Sequence, residues 1–264
     1  MALTVNIGEA TLDGLAYVGG LARLGVVAAH ALVKDVVERR RLAYGRAMHQ
    51  AMAVGIGSLP ILSLITFFIG MILALQSAYE LRKFGAMQFV ADAVAISVSR
   101  ELGPLITAIL VIGRSGSSFA AELGTMKVNE EIDALETMAL DPVRFLVAPK
   151  LLSMLLMMPC LTIWADFMGV IGGAVFGMAQ AGFTLRTYIV ATLNALAMRD
   201  IITGLIKSLM FGLVITTVGC QEGLGTGLGA EEVGRSTTAA VVKSIFLVIM
   251  VDLVFTALFY FGTG

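Results

Sequence analysis

The stretch AMHQAMAVGIGSLPILSLITFFIGMILALQSAY, residues 47–79, holds no charged side chain between Arg46 and Glu80. A bilayer core about 30 Å thick needs roughly 20 apolar residues of helix to cross it, and this run exceeds that. A second run, between Lys150 and Arg186, is interrupted only by Asp166. Charged residues make up 14% of the chain and hydrophobic ones 58%, whereas about a quarter of a soluble domain is charged. The class is therefore a polytopic membrane protein.

Arg39, Arg40, Arg41 and Arg46 stand immediately before the first run. By the positive-inside rule they hold the amino terminus in the cytoplasm. Upstream, Leu12 to Val37 is apolar at mixed helical spacing and is broken by Arg23, His30, Lys34 and Asp35. An amphipathic interfacial helix over about residues 8–40 is expected, with a sixth span from Gly14 to Val33 as the alternative. Glu9 and Asp13 precede the apolar stretch, an order unlike that of a cleaved signal peptide.

From that anchor five spans alternate, near 48–79, 89–121, 148–180, 190–221 and 237–262. A charged cytoplasmic segment at 122–147 separates the second from the third, and the carboxyl terminus ends in the periplasm. The expected fold is all-α, one membrane domain over 1–264, in a bacterial inner membrane. Arg82, Lys83, Arg186 and Arg199 then fall in outer loops, outweighed by the amino-terminal cluster. Gly169, Gly172, Gly173 and Gly177 suit close helix packing.

Other classes find little support. The net charge is -1, and no basic run is interleaved with aromatics as a nucleic-acid groove requires. Cys160 and Cys220 lie in apolar surroundings and read as reduced small hydrophobes. No His, Cys or carboxylate cluster has metal-ligand spacing. Gly113-Arg114-Ser115-Gly116 matches the G-x-S-G string of intramembrane serine proteases, but the only histidines are His30 and His49, and no later span supplies a base. The glycines at 223, 225, 227 and 229 lack the G-K-[ST] of a phosphate loop. No catalytic residue is expected.

Ionisable residues inside spans are the sharpest signal, since each costs at least about 2.5–3.5 kcal/mol at a helix centre unless it meets a partner or a wet cavity. Arg100 and Glu101 fall in the second span, Asp166 in the third, Lys207 in the fourth and Asp252 in the fifth. Glu101 is about 18 Å from the outer end of its span at 1.5 Å per residue, and Lys207 and Asp252 lie near mid-membrane by the same count. Three readings stay open. The charges form a polar patch in an apolar cavity, for a ligand with a charged head and apolar tails; they neutralise one another, as Lys207 with Asp252; or they relay ions or protons in a secondary transporter or channel. Arg100 and Glu101 diverge by about 100° around a helix, so they do not serve one partner equally.

The segment 127–138 sets Val128, Ile132, Leu135 and Met138 at helical spacing, with Glu130, Glu131, Asp133 and Glu136 between them. An acidic amphipathic helix is repelled by an anionic leaflet, so docking on a protein partner is expected, with closure onto its own bundle as the alternative. Asp141-Pro142 ends it.

Arg100-Glu101-Leu102-Gly103-Pro104, Gly113-Arg114-Ser115-Gly116-Ser117, Ala121-Glu122-Leu123-Gly124-Thr125-Met126 and Glu130-Glu131-Ile132-Asp133-Ala134-Leu135-Glu136 together resemble the MlaE-type permease of ABC lipid transporters. Asp141-Pro142 and Gly234-Arg235-Ser236-Thr237-Thr238 fit as well. The resemblance implies an interfacial helix and five spans, a homodimer, and two copies of a cytoplasmic ABC ATPase that binds the ATP and magnesium, leaving this chain without a cofactor. It also implies a periplasmic MCE-domain ring, leaves room for a small accessory cytoplasmic protein, and gives phospholipid as cargo moved between inner and outer membranes to maintain outer-membrane asymmetry. By the same resemblance Arg100, Glu101, Lys207 and Asp252 line the lipid cavity. Segment 127–138 becomes the coupling helix, with Glu130, Glu131, Ile132, Asp133, Leu135 and Glu136 as its contacts.

Overall fold

Proline accompanies two of the helix irregularities. Pro104 has no N–H to give the carbonyl four residues earlier, and around it the chain widens to a π-helical turn, Val98–Leu102, whose following Gly103 N–H reaches back five residues to the Val98 carbonyl. The same happens before Pro149: the π-turn Val143–Val147 is closed by the Ala148 N–H on the Val143 carbonyl.

The computed structural model describes residues 2–37, 41–180 and 184–262. Among these there is no strand, and the α-helices are α1 (Ala2–Val37), α2 (Arg41–Lys83), α3 (Val90–Ser97), α4 (Gly103–Val111), α5 (Ser117–Val128), α6 (Glu131–Thr137), α7 (Ala148–Gln180), α8 (Leu185–Ala195), α9 (Met198–Leu224) and α10 (Ala230–Phe261). Arg39 and Arg40 of the basic cluster lie outside the described residues. Six stretches are long and apolar enough to cross a bilayer: Gly14–Lys34, Gly45–Lys83, Met87–Val128, Val143–Ala179, Met198–Leu224 and Ala230–Phe261. The protein is an all-α polytopic membrane protein, and its amino-terminal helix meets the length and composition of a span.

Two boundaries differ from expectation. The span expected near 190–221 is two helices, because Leu196 is extended between them. Thr184 caps α8 by accepting the Thr187 N–H, and the Asp200 carboxylate accepts the Ala197 N–H at 3.2 Å to open α9. Segment 127–138 is not one helix either. Glu130 and Ala139 both take left-handed backbone, φ 59°, and isolate α6 between them.

The chain forms two compact units. The first draws on Met1–Gln50, Ser115–Ser153 and Leu213–Ser244 so far as they are described. Within it α1 packs on the π-turn Val143–Val147, and Gly20 and Gly25 bring α1 close to Gln221 and Thr217 of α9. Lys243 pairs with Glu222 at 2.8 Å and sits 4.4 Å over the Tyr17 ring, tying α10 and α9 to α1.

The second unit draws on Ala51–Arg114, Met154–Gly212 and Ile245–Gly264, so far as described. Here Gly169 and Gly172 of α7 act as expected. A Cβ on Gly172 would lie 1.9 Å from the Phe67 carbonyl oxygen of α2, and one on Gly70 would lie 1.9 Å from the Gly169 carbonyl oxygen. The two helices pack backbone to backbone, which lipid-embedded bundles achieve with small residues. Trp164 Nε1 donates to Ser63 Oγ at 2.7 Å across the same pair.

Candidate functional site

The π-turn before Pro104 carries Arg100 and Glu101, and the second unit gives each its own counterion. Arg100 Nε donates to Asp200 Oδ1 at 3.0 Å, and its Nη2 reaches the same oxygen. Glu101 accepts instead from Lys207 Nζ, 2.6 Å from its Oε2. The divergence expected of adjacent helical residues is what separates them.

Lys207 is the centre of the cluster. Its side chain is 1% exposed, and its ammonium has three neighbours: Glu101 Oε2, Thr256 Oγ1 at 2.8 Å and Asp252 Oδ1 at 2.9 Å. The last is an ion-pair distance without hydrogen-bond alignment. The hydroxyl proton of Thr256 goes either to the Asp252 carbonyl, 2.8 Å away, or to Glu101 Oε1 at 3.1 Å. An ammonium has three donors and no acceptor; two are used in hydrogen bonds to Glu101 and Thr256, and Asp252 adds charge compensation. Three helical segments converge here: the π-turn, α9 for Asp200 and Lys207, and α10 for Asp252 and Thr256 one turn apart.

The cluster opens on a cavity of about 420 Å³ lined by Arg100, Glu101, Arg199, Lys207, Phe259 and Tyr260 among others. That volume is in the range of small-molecule sites. Its lining combines charged and aromatic side chains, a mixture suited to an amphiphile. Arg199 Nη2 also donates to the Phe259 carbonyl at 3.4 Å.

Sequence reasoning thus found four residues of the cluster and missed Asp200, Arg199 and Thr256. The sequence reading sets Arg199 in an outer loop and does not single out Asp200; the break at Leu196 places both in the first turn of α9. Lys207 is correspondingly shallower than expected, nine residues into α9 or about 14 Å. Thr256 carries no charge and stands out only once Asp252 is placed one turn before it. Asp166 does not join the group. Its Oδ1 is buried without a hydrogen-bond partner among the described residues and lies against Gly103, where a Cβ would be 1.8 Å away.

A charged knot held by a proline-widened helix in a multi-pass protein also accords with sequence comparison. The family model described as Permease MlaE matches residues 47–258. The chain belongs to the MlaE permease family. It is 37% identical over 254 residues to a probable ABC transporter permease protein of Rickettsia typhi, covering 96% of each. A probable ABC transporter permease protein of Synechocystis sp. is 37% identical over 217 residues, 82% of each chain. The chloroplastic protein TRIGALACTOSYLDIACYLGLYCEROL 1 of Arabidopsis thaliana is 35% identical over 224 residues, 85% of this chain and 64% of that one. As an ABC transporter permease of the MlaE family, this protein requires a partner ATPase subunit.

In this MlaE-family permease the acidic segment has two faces. Ile132 and Leu135 are buried against the chain itself, at 4% and 8% exposure, so they anchor α6. Glu130, Glu131, Asp133 and Glu136 are exposed, as is Met138. Lys127 Nζ donates to Asp133 Oδ1 at 2.8 Å and fixes α6 to the end of α5.

Proposed function

We propose that this permease moves phospholipid between the inner and outer membranes of a bacterium, driven by a separate ABC ATPase, and so maintains outer-membrane lipid asymmetry. The observation that carries this reading is the Glu101–Lys207–Asp252–Thr256 cluster beside Arg100, set against Phe259 and Tyr260 in one cavity. A zwitterionic or anionic headgroup finds both signs of charge there, and acyl chains find aromatic and aliphatic surface. The Arabidopsis relative bears the name of a glycolipid, which agrees with a lipid cargo.

The permease works as a homodimer. Phe246, Ile249, Met250, Leu253, Val254 and Leu258 leave one long apolar stripe of α10 exposed, at the spacing of a helix-packing face. The exposed carboxylates of α6 dock on the ATPase in the cytoplasm, and a periplasmic MCE-domain ring receives the lipid. The chain binds no nucleotide; ATP and magnesium belong to the partner.

Proteoliposomes holding permease, ATPase and ring are expected to deliver a fluorescent phospholipid to acceptor vesicles only when ATP is added. Transport by the permease alone, driven by an ion gradient, would instead make it a secondary transporter. Reversing charge at Glu131 and Asp133 should abolish co-purification with the ATPase while the protein still folds; undiminished co-purification removes α6 from the docking site.

A further inference from the structure

The first unit holds a second pocket that shares no residue with the Lys207 cluster and has no part in the cargo reading above. We propose that this pocket, lined by Arg46, His49, Gln50, Glu122, Phe145 and Lys150, binds a phosphate-bearing anion, a lipid headgroup or its free equivalent.

Its construction begins with Pro149. Lacking an N–H, Pro149 leaves the Phe145 carbonyl without its helical partner, and Arg46 Nη1 donates to that oxygen at 3.1 Å. The guanidinium carbon lies 3.8 Å from the centroid of the Phe145 ring, so the group is held by both a hydrogen bond and stacking. Yet its hydrogen bonding is incomplete: Nε is buried and finds no acceptor, and among the described residues no carboxylate lies within ion-pair distance of Arg46. An immobilised guanidinium with spare donors is the group that best matches the oxygens of a phosphate.

Lys150 supplies a second fixed cation. It is 4% exposed, paired with Glu122, and 4.8 Å over the Phe119 ring. Among the described residues Glu122 is the only carboxylate lining the pocket, and it is paired with Lys150, so Arg46 has no carboxylate partner there. His49 and Gln50 add polar atoms to a cavity of about 330 Å³. Arg46 precedes the apolar run of α2, and Lys150 lies in the first turn of α7. Basic pockets between the ends of spanning helices are where lipid headgroups are recognised.

The test uses the full chain in nanodiscs carrying a phosphatidylglycerol analogue with a diazirine on its headgroup. Wild-type protein should be labelled in peptides covering 45–50 and 145–150, and Arg46→Gln should reduce that labelling about tenfold, the loss of one charge-assisted hydrogen bond. Arg46→Lys, which keeps the charge without the fork, should fall between the two. Competition by millimolar inorganic phosphate would show that the free anion suffices; persistence of the label would assign the site to lipid-borne phosphate. Absence of label from both peptides in the wild type overturns the proposal, and so does equal labelling by an uncharged diacylglycerol analogue. The wild-type arms decide even if Arg46→Gln does not fold. Failure of ATP-driven lipid delivery, by contrast, bears only on the Lys207 cavity.

Discussion

Lys207 sits among two carboxylates and a hydroxyl, and its replacement does more than remove a positive charge. Lys207→Met leaves Glu101 and Asp252 facing each other without a counterion, and breaking a buried ion pair in this way costs about 3–5 kcal/mol. Adding Glu101→Gln and Asp252→Asn removes the repulsion, so the triple variant should recover most of the lost thermal stability, as buried ionic groups replaced together often do. It should not recover lipid retention in purified protein. Unfolding temperature and co-purified lipid, measured on the single and triple variants, separate the structural from the binding role. If the triple variant retains lipid as the wild type does, the charges serve only to pin α9 and α10 to the π-turn. Charge made these residues visible in the sequence, because an ionisable group in an apolar run is costly wherever it lies. Of the pairings, the sequence offered only Lys207 with Asp252, which lie 2.9 Å apart; the others were not visible. Arg100 with Asp200 and Glu101 with Lys207 are separated by about a hundred positions, and only the packed helices choose between those pairs and others.

Helices in this protein are punctuated by residues whose effect is local and helices are joined by residues whose effect is not. Pro104 and Pro149 stand just after two of the three π-turns among the described residues, and the missing N–H explains those two without reference to the rest of the fold; the third, Ile112–Gly116, has no proline after it. Gly172 belongs to the second kind. Any Cβ there meets the Phe67 carbonyl, which is backbone and cannot rotate away. Gly172→Ala should therefore lower stability by about 1–3 kcal/mol, the usual cost of overpacking, despite the better helix propensity of alanine. Gly19→Ala in α1, where nothing lies within 4 Å, should be neutral or gain up to about 1 kcal/mol. Thermal unfolding in one detergent compares them, and equal effects would mean that the α2–α7 approach is not tight. Periodicity made 127–138 look like a single helix, since Val128, Ile132, Leu135 and Met138 keep helical spacing. The left-handed Glu130 interrupts it, and no spacing rule records a backbone turn at a residue other than glycine.

At the scale of the whole molecule the open quantity is parity. Five spans with an interfacial α1 put the chain ends on opposite sides of the membrane; six put them on the same side. The proposed topology predicts that, in a chain freed of Cys160 and Cys220, a cysteine at position 3 is labelled by an impermeant maleimide only after permeabilisation. One at position 262 should react in spheroplasts without it. Equal protection of both positions would make α1 a sixth span, which its length and composition allow. Hydropathy alone established that the chain is helical and membrane-embedded, because a bilayer leaves no other fate to uncharged runs of this length. It also exposed Arg100, Glu101, Lys207 and Asp252, since the cost of a charge in hydrocarbon does not depend on the fold. Tertiary structure decided which charge answers which, that Asp200 and Thr256 complete the set, and that Ile132 and Leu135 face inward. These are matters of distance between residues far apart in the chain, and only packing sets such distances.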